Sequence, residues 1–289
     1  MNDTHEIQIL EKNSDLYPEF LALMDDSPQK LYCIGDIGLL KSRKVAVVGA
    51  RKCSEYGRQV ATKIGSALSR NNITVVSGMA EGIDSFAHSS TIKEKGKTIA
   101  VLGNGPDICY PRQNRYIYEE ICKNGLVISE YEPGTKANPW HFPRRNRIIS
   151  AISEAVVIVE ASANSGSLIT AEHAAEQGKE IIAVPGNINS IYSLGCNKLI
   201  ADGATILTVP DDILRVIGVS PQIVEEELSS MGADEQKLFN ILKEYGEVSI
   251  EYMCHLLEMD ASKVSGLITV MEIKGLVSYQ LGKIFIAKF

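Results

Sequence analysis

No two cysteines in this 289-residue chain are spaced C-x-x-C, and the six, at 33, 53, 109, 122, 196 and 254, join no Cys/His grouping of the kind that holds zinc. They are expected to be reduced core thiols. Long apolar runs are missing as well. Nothing approaches the roughly 18 residues of a membrane span, and Met1 to Leu10 has neither the basic nor the apolar region of a signal peptide. A cytoplasmic protein is expected. The chain also lacks G-x-G-x-x-G: after the first predicted strand it runs Gly49-Ala50-Arg51-Lys52-Cys53-Ser54. A long cation, Arg51, stands where a dinucleotide site needs its second glycine for close approach to a pyrophosphate. The second predicted strand ends Ser77-Gly78, without the acid that would take a ribose, and Gly103-Asn104-Gly105 is followed by Pro106. Nicotinamide chemistry is thereby excluded. Asp84 and Glu172 have no nucleophile or carboxylate partner in sequence, so no acid/base pair, cofactor or metal is expected.

What is present is a βαβ rhythm. Short β-branched runs alternate with amphipathic segments from residue 44 to about 215, with 45% hydrophobic residues overall. Strands are predicted over 45–48, 74–77, 98–102, 126–129, 156–160, 181–184 and 205–207. Helices are predicted near 55–70, 84–95, 112–123, 145–152, 168–177 and 195–201. This is an α/β domain, a Rossmann-like, doubly wound, mostly parallel sheet over 41–217, whose ligand crevice lies beyond the carboxyl ends of the strands. Residues 1–40 carry too little apolar material for a core of their own and read as a short helical lead-in. A linker over 218–233 leads to a small domain over 234–289. There Leu238, Ile241 and Leu242, then Ile250, Met253 and Leu256, then Val264, Leu267 and Met271 mark three helices, and a hairpin flanks Gly282. Three helices and a hairpin suggest a winged helix.

The net charge is −7, but it is unevenly placed. Residues 1–40 hold two Lys against eight Asp/Glu, and 216–289 hold six Lys against eleven, so the middle keeps 21 basic against 17 acidic residues. Two stretches within it form the candidate polyanion footprint. Lys41 to Lys63 has seven cations against Glu55 alone, and 133–153 has Lys136, Arg144, Arg145 and Arg147 with no acid. Trp140-His141-Phe142-Pro143-Arg144-Arg145-Asn146-Arg147 combines rings with guanidiniums, as single-stranded nucleic acid requires, with Phe142 or Trp140 as the stacking platform. His141 is expected to be a packed or hydrogen-bonded histidine. Ser165-Gly166-Ser167 opens a helix and can form an anion nest, and Ser54 is a plausible N-cap at the helix after Arg51.

Together, several segments resemble the DNA-processing protein A family (DprA, also called Smf). They are Val45-Ala46-Val47-Val48-Gly49-Ala50-Arg51 with Ser54-Glu55-Tyr56-Gly57, Ser77-Gly78-Met79-Ala80-Glu81-Gly82-Ile83-Asp84, and Tyr110-Pro111-Arg112-Gln113-Asn114. Phe142 with 145–150, Ser165-Gly166-Ser167-Leu168-Ile169-Thr170-Ala171 and Ala183-Val184-Pro185-Gly186 complete the set. The resemblance implies an extended Rossmann domain that binds and protects single-stranded DNA as a homodimer and loads the RecA recombinase during natural transformation, without turnover. It implies that Arg51 grips phosphate, that Arg112 is a second basic contact, that Phe142 meets a base, and that Arg145, Asn146 and Arg147 line the same pocket. The expected DNA contacts are therefore Arg51, Ser54, Arg112, Asn114, Phe142, Arg144, Arg145, Asn146, Arg147, Ser165, Gly166 and Ser167. Two departures stand out: the N-terminal helical domain of longer relatives is missing, and Ala50 stands where many relatives have Ser or Thr. An enzymatic alternative is the distantly similar nucleoside-monophosphate phosphoribohydrolases (LOG-like), with a P-G-G-x-G-T-x-x-E loop. Laying Gly166-Ser167 on its G-T puts Thr170 where the catalytic glutamate belongs. In the C-terminal domain only Lys263 and Lys274 are basic near the third helix, so protein contact or regulation is expected there rather than strong DNA binding.

Overall fold

The computed structural model describes residues 5–220, 231–274, 276–280 and 282–286. The chain divides into two compact units, Met1–Ser220 and Pro221–Phe289.

The large unit is one nine-stranded sheet. Its strands are β1 (Gln8–Glu11), β2 (Lys30–Gly35), β3 (Lys44–Val48), β4 (Thr74–Ser77), β5 (Thr98–Leu102), β6 (Leu126–Ser129), β7 (Ala155–Ile158), β8 (Glu180–Ala183) and β9 (Thr205–Ile206), in the order β1-β2-β6-β5-β4-β3-β7-β8-β9. From β6 to β9 every pairing is parallel, while β1 and β2 add an antiparallel edge. The pleat sends alternate residues of each strand to opposite faces, so a sheet covered on both sides needs apolar residues at nearly every position. In β3, Val45 and Val47 pack with Ala61, Ile64 and Leu68 of helix α2 (Glu55–Arg70) and Ile83 and Ala87 of helix α3 (Ile83–Lys93). Ala46 and Val48 face the other way, onto Ile148 and Ile149 of helix α5 (His141–Ala151) and Ala171 and Ala174 of helix α6 (Gly166–Glu176). Helix α4 (Arg115–Asn124) covers β5 and β6 through Ile117, Tyr118 and Ile121.

Two boundaries depart from the sequence reading. Residues 1–40 are not simply helical: helix α1 (Glu19–Leu23) lies between β1 and β2, and β2 inserts beside β6. Lys30–Gly35 buries Leu31 and Cys33 in the core and leaves Lys30 exposed and Tyr32 half-exposed, and so carries only a four-residue alternating signal. Helix α5 begins four residues before the predicted start at 145, because Pro143 stands in its first turn, where no intrahelical N–H is needed. Of the predicted linker 218–233, residues 221–230 lie outside the described residues.

Among the described residues the small unit holds three helices, α7 (Ala233–Tyr245), α8 (Ile250–Leu257) and α9 (Ala261–Ile273), and the strands β10 (Glu247–Ser249), β11 (Val277–Gln280) and β12 (Lys283–Ile286) in the antiparallel order β10-β12-β11. The expected hairpin thus gains a third strand. Its core is Leu238, Phe239, Leu242, Met253, Val264, Ile268 and Met271. Both cations near α9 are spent within the unit: Lys263 pairs with Asp234 at 2.9 Å and Lys274 with Glu235 at 2.8 Å. No helix among the described residues is long and apolar enough to cross a membrane.

Candidate functional site

The connection after β6 returns the chain across the sheet to place β7 on the far side of β3, so the winding reverses between β3 and β7. The loops leaving those two strands part there, and a crevice opens above their carboxyl ends. In this protein it is a cleft of about 370 Å³. Its walls come from the β3 loop (Gly49, Arg51), the β4 loop (Ala80), α3 (Asp84), Tyr110, α5 (Phe142, Pro143, Arg145, Asn146, Ile149) and the start of α6 (Ser165, Gly166, Ser167, Thr170).

Arg51 is exposed, and its guanidinium lies over the Phe142 ring, 5.3 Å from the centroid. Among the described residues it has no carboxylate partner, so its charge faces the opening. Tyr110 also stacks on Phe142, at 5.6 Å with an interplanar angle of 26°. Three planar groups therefore line one rim. Cation–π contact of this kind is worth about 0.5–1 kcal/mol at an exposed site, enough to orient the arginine without consuming its donors. Opposite, α6 opens with Ser165 as N-cap, and its hydroxyl lies 2.8 Å from that of Ser167. The positive end of an 11-residue helix and two hydroxyls thus look into the cleft. A Cβ at Gly166 would meet nothing within 4 Å, so the approach to that helix end is open.

The three arginines expected to act together do not. Residues three apart on a helix share a face, whereas the residue between them is turned about 100–200° away. Arg144 and Arg147 accordingly turn to Glu130: Arg147 is 2% exposed, donates to Glu130 at 2.8 and 2.9 Å and pairs with Asp26, and Arg144 lies 3.5 Å from the same carboxylate. Arg147 is a buried structural cation and not a cleft residue, and Arg144 lies outside the cleft lining. Arg145 alone points into the cleft floor. It is 4% exposed and donates to the carbonyls of Gly78 (2.8 Å) and Val101. Burial pushes its guanidinium down to about 10, against the opposing pull of Asp84. Asp84, a residue for which no role was evident in the sequence beyond helix capping, accepts the N–H groups of Gly78 (3.0 Å) and Ala80 (3.3 Å). Burial raises its carboxyl, and Arg145 draws it back.

Two other expected contacts are spent on the protein itself. Asn114 is buried and donates to the carbonyls of Met79 and Ala80, fixing the β4 loop. The Ser54 hydroxyl caps α2 through Gly57 N–H and donates to the buried Glu160. Asn146 lines the cleft while donating to Gly166 O at 3.2 Å, and Arg112 is exposed in the turn just beyond Tyr110 and Pro111. His141 is hydrogen-bonded, Nδ1 to Gly103 O at 3.0 Å, and stacked on Tyr131. Trp140 is 82% exposed. Tyr110 is the residue that sequence reasoning passed over as a contact. An aromatic beside Pro111 and Arg112 in a predicted loop was the available signal.

Below the floor, His88 is fully buried, with Nδ1 2.7 Å from Thr98 Oγ1. Thr98 Oγ1 donates to Val75 O, so it accepts from His88 and fixes the neutral tautomer with the proton on Nδ1. Burial, with Arg145 adding to it, pushes this imidazole down to about 3. The folded protein therefore binds fewer protons here than the unfolded chain, so stability present above the unfolded pKa near 6.5 is lost as pH falls towards 3. Chemical denaturation should show about 2 kcal/mol lost between pH 7 and 5 from this one group. The variant His88→Leu, which leaves Thr98 bonded to Val75, should lack that share of the acid limb; an unchanged limb would refute the assignment.

Comparison with known proteins agrees with this architecture. The model for the family described as DNA recombination-mediator protein A matches residues 8–218, from the first residue of β1 to beyond β9. The DNA processing protein DprA of Streptococcus pneumoniae is 44% identical over 200 residues, covering 69% of this chain and 71% of the relative. An X-ray structure of the S. pneumoniae protein superposes with a TM-score of 0.70 at 42% identity, over 73% of this chain and 74% of that one. A structure of DNA processing protein A from Helicobacter pylori, described for its single-stranded DNA binding mode, gives 0.68 at 32% identity, over 75% of this chain and 98% of that one. With a family model spanning the nine-stranded unit and relatives of this similarity, the chain belongs to the DNA recombination-mediator protein A family.

Proposed function

We propose that the cleft above β3 and β7 binds the backbone of single-stranded DNA, and that the chain thereby presents such DNA to a RecA-type recombinase, acting as a homodimer without turning over a substrate. The carrying observation is Arg51: an exposed guanidinium without a carboxylate partner among the described residues, held over the Phe142 ring at the switch point of the sheet. A flexible polyanion suits that arrangement. One phosphate meets Arg51, the α6 N-terminus with Ser165 and Ser167 offers a second seat, and Arg112 extends the positive rim. Phe142 and Tyr110 supply planar surface on which a base can stack, worth about 1–3 kcal/mol per base. The contacts on offer are to backbone and ring faces, so little sequence preference is expected. A family described as recombination mediators supports recombinase loading as the purpose.

Fluorescence anisotropy with labelled single- and double-stranded oligonucleotides across a salt series tests the proposal. Two to three phosphates neutralised predict a slope of log K against log[salt] of about −1.4 to −2.1 for single strands. Arg51→Ala should weaken binding for every sequence and flatten the slope by about 0.7. Equal affinity for duplex, or a loss confined to particular sequences, would overturn the reading.

A further inference from the structure

In doubly wound sheets the N-terminus of the helix after the first parallel strand is the usual seat of a ligand's phosphate, because free N–H groups and the helix dipole converge there. Here that place, the start of α2, is already filled from within. Glu160, just past β7, is 2% exposed, and its carboxylate accepts the Ser54 N–H at 2.8 Å and the Ser54 hydroxyl at 2.5 Å. It sits so close to the first turn of α2 that a Cβ on Gly57 would come within 2.3 Å of its Oε2. Among the described residues it has no cationic partner, so the helix end and the Ser54 donors are what hold its charge. The same residue's carbonyl accepts Ala50 N–H at 2.8 Å, and on the other side Ile83 N–H donates to Ala50 O at 3.2 Å. A Cβ on Gly82 would lie 2.4 Å from both Ala50 O and Arg51 O. The loop that presents Arg51 is thus clamped between the end of β7 and the start of α3.

We infer that Glu160 is a positioning and specificity residue: its carboxylate replaces a ligand phosphate at the N-terminus of α2, closing that seat to nucleotides and locking the loop that aims Arg51 into the cleft. The arrangement has a directional consequence. Bound phosphates are displaced from α2 towards Arg51 and the open end of α6, which leaves a rim a continuous strand can follow instead of an enclosed site for one nucleotide. The DNA part of this inference rests on the reading of the cleft given above. The closing of the seat does not.

The test is a double-mutant cycle on the full chain, reading single-stranded oligonucleotide affinity for wild type, Arg51→Ala, Glu160→Ala and the double variant. Glu160→Ala should bind about tenfold more weakly, and the double variant should be no weaker than Arg51→Ala, since both remove the same contact. Formate, with chloride at matched ionic strength as control, should restore affinity to Glu160→Ala alone by refilling the seat. Affinity within about twofold of wild type, additive losses, or no response to formate would overturn the inference. If Arg51→Ala itself leaves affinity unchanged, the cleft reading fails. The seat is then decided by thermal melting: inorganic phosphate should raise the midpoint of Glu160→Ala and leave wild type unmoved, and equal response refutes it. Should Glu160→Ala show no cooperative melt, Glu160→Gln, which keeps the shape and loses the charge, enters the same cycle. A loss of about threefold that vanishes in the Arg51→Ala background is expected, and full affinity overturns the proposal.

Discussion

Arg147→Ala is expected to destabilise the large unit by about 3–5 kcal/mol while leaving the single-stranded DNA affinity of the folded protein near that of wild type. Arg147 and Glu130 are a buried pair, their side chains 3% and 6% exposed, with Asp26 as a third member at 2.5 Å. Removing the guanidinium strands a carboxylate in a site built for its partner. Arg144, 64% exposed and 3.5 Å away, can supply only a screened fraction of the lost charge. The carbonyls of Asp26 and Arg144 also lose donors, at 3.1 and 2.8 Å. For a unit of this size 1 kcal/mol moves the melting midpoint by about 2–4 °C, so a fall of about 6–20 °C should appear in a thermal melt. A variant with wild-type melting and weakened DNA binding would return Arg147 to the cleft. Replacement of Arg147 and Glu130 together by apolar residues of similar volume should recover much of the loss, because the desolvation of both charges goes with them.

This arginine also marks where sequence reasoning stops. The inner parallel strands β3 to β7 were legible because burial on both faces writes itself as continuous apolar runs, and the doubly wound pattern placed the ligand crevice beyond their carboxyl ends. Arg51, Phe142 and Ser165–Ser167 were legible because each follows a strand end or opens a helix. The run from 144 to 147 was misread as one patch. Helical periodicity alone puts 144 and 147 on a face apart from 145, but only the fold decides which face meets the cleft and supplies Glu130, from the end of β6, and Asp26 as partners. Asn114 and Ser54 failed for a related reason. Both are short polar side chains at loop ends, where backbone groups without partners compete for them. The antiparallel edge was hidden in Lys30–Gly35, where only four residues alternate before Ile34 breaks the pattern. Asp84 gains its meaning only from Arg145, 61 residues away in sequence, and no local pattern announces such a pair.

That pair carries the second large effect. Arg145→Met should cost about 3–5 kcal/mol at neutral pH, and its cost should grow as pH rises. Asp84 is fully desolvated, and Arg145 is the cation that draws its raised carboxyl back towards the ordinary range. Without Arg145 the carboxyl rises further. A carboxyl whose folded pKa exceeds its unfolded value near 3.8 contributes stability that is complete below that value and lost as pH climbs through the folded one. The variant should therefore regain stability relative to wild type on acidification, by about 1.4 kcal/mol per unit across that window. His88 reinforces the trend: Arg145 helps to hold its imidazole down, so the variant also loses less stability on the acid side. Urea titrations at pH 5 and pH 8 check the sign directly. A cost that is flat with pH, or larger at pH 5, would mean that Asp84 and Arg145 are not electrostatically coupled. The cleft floor would then be held by the Gly78 and Val101 carbonyls alone, and Arg145 would have no charge-based reason to lie beneath a bound phosphate.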